Sequence, residues 1–254
     1  MNARGLLLPT LAALVVLGVL VGLGTWQMER LAWKTELVAQ VRARTSERPI
    51  PAPPPREWPD IDRAQDEYLP VTASGRFDHG RETLIYTVLS DPKGPFKGPG
   101  YLVITPLMQA DGSAILVNRG FVPEDRRNPT TRAAGQVEGP VTVTGLLRLP
   151  EEANWFVPDN APERNAWFRR DPEEIGRARG LARVAPFTID ADGTPNPGGL
   201  PQGGETRLSF PNKHLEYALT WYGLAVTLVG VYVAFVITRL RGRRDDLDAP
   251  RAAD

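Results

Sequence analysis

Two histidines, three methionines and no cysteine make up the whole supply of soft or borderline metal ligands in this 254-residue chain. Without thiols, disulfide staples, thiolate copper or zinc sites, thioether-linked haem and dithiol redox chemistry are excluded. What remains is imidazole, guanidinium and carboxylate chemistry. His79 closes Gly75-Arg76-Phe77-Asp78-His79, with Glu82 just beyond. A His beside two carboxylates can be half of a metal or acid–base site, but no third ligand stands at a recognisable spacing. A solvated or hydrogen-bonded loop histidine is the preferred reading. Arg119, in Asn118-Arg119-Gly120-Phe121, can meet a carboxylate or propionate; a buried or surface ion pair is the plainer expectation. Trp155, Phe156, Trp167 and Phe168 group around Asn154 and Asn165 and are expected to cover one end of a barrel, a ligand surface being the alternative. Neither G-x-S-x-G nor H-E-x-x-H occurs, and the chain is expected not to be an enzyme.

His214 is the sharper candidate. Asn212 is a good N-cap, which puts His214 in the first turn of a helix. The positive end of the helix dipole there suits an uncharged imidazole, the form a metal takes. An apolar slab suited to a porphyrin adjoins it. An interfacial histidine bonded to lipid headgroups or loop carbonyls explains the position equally well.

The element that must hold His214 is an apolar run at 217–240, matched by another at 6–26. Each has about 20 residues, enough to cross a ~30 Å hydrocarbon core. Arg239, Arg241, Arg243 and Arg244 follow the second run and Arg4 precedes the first. Both tails are therefore expected in the cytoplasm and the intervening residues outside, in a bacterial periplasm. A cleaved signal peptide is disfavoured by the length of the run and the lack of an A-x-A site, for which Gly22-Leu23-Gly24 is a poor substitute. Trp26 stands where an interfacial belt would hold it. A helical pattern continues through Trp33, Leu37 and Val41.

At 3.6 residues per turn His214, Ala218, Trp221, Ala225 and Tyr232 share one meridian of the second helix, and Gly223, Thr227, Gly230 and Ala234 the opposite one. Gly18 and Gly22 form a GxxxG in the first run. Small stripes are where membrane helices pack. The expectation is docking through Gly18, Gly22, Gly223, Thr227 and Gly230. That leaves His214, Tyr217, Ala218 and Trp221 facing a ligand or another membrane protein.

Between the runs the period changes. The Pro-rich stretch 49–59 reads as a stiff linker. Alternation at Val71, Ala73, Gly75 and Phe77, and runs at Thr83–Leu89, 101–108, 114–122, 141–149 and 184–190, read as strands, with Asp111-Gly112 as a hairpin turn. Asp171-Pro172-Glu173-Glu174 opens a short helix that Gly180 stops. Residues 192–204 are Gly/Pro-rich loop. The fold class is α+β: two transmembrane helices and a mainly antiparallel barrel or sandwich with a short helix. Lys plus Arg balance Asp plus Glu at 30 each, so no basic field argues for nucleic acid.

Several blocks resemble one family. They are Leu23-Gly24-Thr25-Trp26-Gln27-Met28-Glu29-Arg30 with Trp33-Lys34; Gly75-Arg76-Phe77-Asp78-His79; Pro99-Gly100-Tyr101; and Val117-Asn118-Arg119-Gly120-Phe121-Val122-Pro123. To these add Asn165-Ala166-Trp167-Phe168 and Pro211-Asn212-Lys213-His214-Leu215-Glu216-Tyr217 running on to Trp221-Tyr222-Gly223. Together they resemble the Surfeit locus protein one family. The resemblance implies a non-enzymatic assembly factor for haem–copper cytochrome c oxidase in the bacterial cytoplasmic (inner) membrane. It implies that His214 binds the iron of haem a, held transiently between haem a synthase and oxidase subunit I. A structural partner of subunit I that carries no haem is the alternative. The expected organisation is a cytoplasmic tail and first span at 1–28, a periplasmic β-rich domain at 29–211, a second span at 212–240 and a cytoplasmic tail at 241–254, with membrane lipid around the spans.

Overall fold

A computed structural model describes residues 4–152, 155–206 and 212–248, with side chains between 6 and 241. Asn154, Pro211, the Arg4, Arg243 and Arg244 side chains and residues 249–254 lie outside that description. In chain order the elements are helix α1 (Arg4–Thr45), strand β1 (Ile50–Pro51), helix α2 (Arg63–Asp66), strands β2 (Pro70–Phe77), β3 (Thr83–Leu89), β4 (Gly98–Met108), β5 (Ala114–Pro123) and β6 (Pro140–Arg148), helix α3 (Pro172–Ala178), strand β7 (Val184–Ala191) and helix α4 (His214–Asp248). They form two compact units. One is helical, from α1 as far as Gln40 together with α4; the other is β-rich, Val41–Leu208.

Both long helices have the length and apolar composition to cross a membrane, over Leu6–Thr45 and His214–Arg241. The period at Trp33, Leu37 and Val41 is helical, and α1 continues through it to Thr45.

In the β-rich unit the pairings β2–β6, β6–β7, β7–β5, β5–β4 and β4–β2 close a five-stranded ring. Strand β3 extends β4 as an antiparallel partner. The barrel expectation holds with one difference: β5 and β7 run parallel. Alternation reports which face of a strand is buried and says nothing about its neighbour. The segment through β6 and α3 returns the chain in the same direction, and α3 covers the crossover with fully buried Ile175. That helix begins as its sequence demands. Asp171 accepts from Glu174 N at 3.0 Å. At its end Gly180, at φ +64, donates to Arg177 O while Leu181 donates to Gly176 O, a left-handed C-terminal cap that glycine fits without strain.

The Pro-rich stretch is part of this unit, not a spacer. Ile50 and Pro51 pair with Val71 and Thr72, Ala52 N donates to Thr72 O, and Trp58 packs edge-on against Phe187. Proline at a sheet edge loses no ladder bond, so a segment with PPII character can lie along the barrel.

The interior holds the apolar cluster of Val71, Leu107, Ile115, Val117, Leu147, Phe187 and Ile189. It also holds a charge network. Asp190, 3% exposed, accepts from Asn118 Nδ2 (3.0 Å), Arg170 Nη1 (2.6 Å), Arg148 Nη1 (3.1 Å) and Thr206 Oγ1 (2.9 Å). Arg148 also donates to Glu67 at 2.8 Å and Arg170 to Glu151 at 2.9 Å. Burial would raise the Asp190 pKa; Arg170, Arg148 and the Asn118 and Thr206 hydrogen bonds overcome it and hold the carboxyl below its ordinary value of 3.8. Burial likewise works against charged Arg148, and Asp190 with Glu67 and Tyr68 more than offsets it.

Because the Asp190 pKa is depressed in the fold, its stabilisation is complete above pH ~4, where the unfolded carboxylate is ionised, and is lost as pH falls through the lower folded value. Asp190→Asn should cost about 3 kcal/mol, the low end for breaking a buried pair, since both arginines keep a second carboxylate. Denaturant unfolding of wild type and variant at pH 7 and again well below pH 4 checks this: the gap should shrink on acidification, and an unchanged gap would refute the assignment.

Candidate functional site

His214 opens α4 where the sequence places it. Asn212 Oδ1 accepts from His214 N at 3.4 Å, and Lys213 O accepts the first helical bond, from Tyr217 N at 3.2 Å. The helix boundary therefore falls at Lys213, one residue after the expected cap.

The imidazole has a partner that the sequence reading missed. Its Nδ1–H donates to Gln27 Oε1 at 2.7 Å, and Gln27 is 9% exposed. A ring nitrogen used as donor leaves the other with the free lone pair. Nε2 has no hydrogen-bond partner among the described residues. The Gln27 acceptor sets the tautomer and orientation of the ring. The available signal was the glutamine itself, a polar residue at the end of an apolar run.

Helices α1 and α4 are antiparallel. The Thr10 and Tyr232 hydroxyls bond at one end and Gln27 and His214 at the other. Between them the Tyr222 ring lies over Gly24, where an added Cβ would come within 2.6 Å of it, and its hydroxyl reaches Thr25 Oγ1 at 3.2 Å. Ala218 and Ala225 are 0% and 5% exposed.

This reverses the expected docking face. An added Cβ at Gly18, Gly22, Gly223 or Gly230 meets nothing within 4 Å. Thr227 is exposed and donates only to Gly223 O of its own helix, at 2.9 Å. The seam follows a 3-4 alternation: 10, 13, 17, 20, 24 and 27 on α1 against 214, 218, 221, 225, 228 and 232 on α4, all buried or half-buried. That is the 3.5-residue period of supercoiled helices. Two interhelical polar pairs in apolar surroundings favour this rotation: Thr10 Oγ1 also donates to Leu6 O of its own helix at 2.6 Å, whereas Tyr232, Gln27 and His214 find their side-chain partners across the seam. Ala218 is therefore covered by α1 and is not ligand-facing. Trp221 is half-buried in the seam. Tyr217, 54% exposed, remains open beside His214.

In the β-rich unit His79 is a loop histidine, its Nε2 2.9 Å from Val137 O. Glu82 is taken by Arg132 and Asp78 by Arg81 at 3.3 Å. Among the described residues no group of three His, Asp or Glu side chains is placed to hold a metal ion. The aromatic group divides. Trp167 is core, packed with Ile85, Ile104, Leu116 and Ile175, and its Nε1 donates to Asn165 Oδ1 at 3.0 Å. Trp155 and Phe156 are fully exposed. Arg119 is 2% exposed, and the expected ion pair is not among its contacts.

A helical pair of membrane-spanning length, carrying a His–Gln couple, on one chain with a closed mixed β-barrel, defines a membrane-anchored barrel protein. Its family is specific. The SURF1 family model matches residues 14–226. Surfeit locus protein 1 of Mus musculus is 43% identical over 214 residues, covering 80% of this chain and 67% of the mouse protein. The Homo sapiens protein of that name is 41% identical over 216 residues, covering 80% and 69%. A SURF1-like protein of Monosiga brevicollis is 41% identical over 240 residues, covering 90% and 87%. The chain belongs to the SURF1 family.

The seam makes a direct prediction in this Cys-free chain. Thr10→Cys with Tyr232→Cys should crosslink readily under mild oxidation, and Gly22→Cys with Gly223→Cys should not. Gly24→Leu should weaken the pair by roughly 1–3 kcal/mol, the cost of overpacking, read as loss of the first crosslink. The opposite crosslink pattern would restore the small-stripe face.

Proposed function

We propose that this protein is a membrane-bound assembly factor for a haem–copper cytochrome c oxidase, and that it holds haem a through His214 for transfer to subunit I. The single observation that carries the reading is the His214–Gln27 couple: one imidazole nitrogen fixed by a buried amide, the other without a partner among the described residues. One such imidazole would suit a haem, which brings most of its iron donors itself, and His214 would be the residue that holds it. A bound haem would contribute the redox-active iron that the oxidase needs. The protein's part is binding and orientation. Gln27 holds the ring; Tyr217, beside His214 at the start of α4, and Trp26, next to Gln27 and 50% exposed, offer aromatic surface. The chain has no thiol to attach or reduce a cofactor. The partners are haem a synthase as donor and subunit I as acceptor, with no catalytic step by this chain.

The setting follows from charge. Arg239 and Arg241 with the arginines beyond them place the α4 carboxyl end in the cytoplasm, and the β-rich unit lies in the periplasm of a bacterium. A reporter active only in the periplasm, fused after Asp254, should be silent; activity there would invert this orientation.

A second reading has its own support. Gly223, Thr227 and Gly230 on α4, and Gly18 and Gly22 on α1, are free of the seam and open. They form surfaces on which a helix of subunit I could pack closely. In that reading the protein stabilises a subunit I intermediate and carries no haem.

Haem a titration of the purified full-length protein separates the two. His214→Ala should abolish or strongly shift the Soret band, and His79→Ala should leave it intact. Gln27→Leu should weaken haem affinity about 10–100-fold, the usual effect of removing an outer-shell partner of a metal ligand, and in the haem-free protein should move the 15N shifts of His214 off the Nδ1–H tautomer. Wild-type haem binding by His214→Ala would falsify the ligand assignment and leave the structural reading ahead.

A further inference from the structure

Arg119 stands at a β-bulge. Leu102 pairs with Phe121 and Ile104 with Asn118, so Arg119 and Gly120 together face Val103. Gly120, at φ +122, takes a conformation other residues avoid, and its N–H donates to Asn118 Oδ1 at 3.1 Å. A bulge re-aims a side chain, and here Arg119 is buried. Its Nη2 donates to Gly135 O and to Asn196 Oδ1 at 3.2 Å, and its guanidinium lies 4.7 Å over the Phe77 ring. Nε and Nη1 are buried with no partner.

Two neighbours share this condition. His79 Nδ1 and both amide atoms of Gln136 are also buried without partners. His79 is tied to Val137 O and Arg119 to Gly135 O, so both bond to the short segment 135–137 that carries Gln136. Five of the eight such atoms among the described residues fall here. Native interiors leave few polar groups unpaired, and a local concentration of them needs a partner.

The charge balance says which kind. Glu82 is occupied by Arg132, both side chains buried. Arg119 and Arg179 lie within its electrostatic reach, so three guanidiniums share one carboxylate. Burial, with Arg132 nearby, pushes Arg119 down to about 10 against the pull of Glu82. A buried cation of this sort is stabilised by an anion that hydrogen-bonds to it. Arg119 lines a cavity of about 190 Å³ whose walls include Phe77, Val117, Val137, Val141 and Asn196. Asp192 also lines it and disfavours a second negative charge.

We propose that the Arg119 cavity binds a small monocarboxylate with a short apolar tail, the carboxylate accepting from Arg119 and the tail lying against Phe77 and the valines. The site is in the β-rich unit and does not depend on the haem reading.

The test uses full-length protein in detergent and three probes: n-butyrate, its neutral counterpart butyramide, and inorganic phosphate. Butyrate should shift the Arg119 Nε–H resonance saturably and raise the unfolding midpoint with concentration. A six-heavy-atom ligand of ordinary efficiency implies a Kd on the order of 1 mM. Butyramide and phosphate should do neither. Arg119→Gln should weaken butyrate binding at least tenfold while leaving the response of the helical unit to haem unchanged. Should that variant fold poorly, the wild-type resonance titration decides alone. No saturable butyrate shift, or equal shifts from phosphate or butyramide, would overturn the proposal and leave only solvent satisfying these groups.

Discussion

A polar group taken out of water must find a partner, and a charge must find a good one. That constraint decides more of this structure than any apolar contact. Asp190 joins β7 to Arg148 on β6, Asn118 on β5, Arg170 ahead of α3 and Thr206 near the end of the β-rich unit. With Glu67 and Glu151 drawn in through the arginines, one carboxylate fixes which strands meet at the parallel crossing. Hydrophobic burial alone does not select a neighbour. Val117 and Ile189, paired in that crossing, would be as well buried beside other valines and isoleucines, whereas Asp190 has one arrangement that satisfies it.

The same constraint acts more strongly between the helices, where the surroundings are apolar. The 3.5-residue seam can rotate by a residue or two with little change in apolar contact, because both helices are aliphatic nearly all round. Gln27–His214 and Thr10–Tyr232 cannot rotate without stranding three polar groups, since only Thr10 keeps a bond within its own helix, to Leu6 O. Tyr222 then needs the space that Gly24 provides. A Gly stripe permits close packing; polar pairs decide which stripe is used.

This difference explains what was legible in the sequence. Local signals held where the chemistry is local: strand Thr83–Leu89, the Asp171 cap, the Gly180 stop and the helix start near His214 all depend on neighbours a few residues away. The family motifs were legible too, as contiguous blocks. Pairings across long separations were not. Gln27 and His214 are 187 residues apart, and Asn118 and Asp190 are 72 apart. Nothing in the periodicity of either segment names the partner. The docking face failed for the same reason: Gly223, Thr227 and Gly230 make as good a small stripe on paper as Ala218 and Ala225. Arg119 was expected in an ion pair because arginine in a strand usually has one, and the bulge that buries it is visible only in the β4–β5 register.

Where satisfaction is complete, as around Asp190, a polar network reads as architecture. Where it is incomplete, strain at a functional site is the usual cause. His214 and Arg119 are incomplete in different ways. His214 has one nitrogen committed and the other open at the end of a helix pair, an arrangement suited to a ligand that brings its own coordination sphere. Arg119 has one terminal nitrogen, Nη2, committed to two loop acceptors, and Nε and Nη1 unpaired, beside a cavity. Gly120, whose conformation and tight approach to Gln202 leave no room for a side chain, keeps Arg119 inside at a cost that an exposed arginine would not impose.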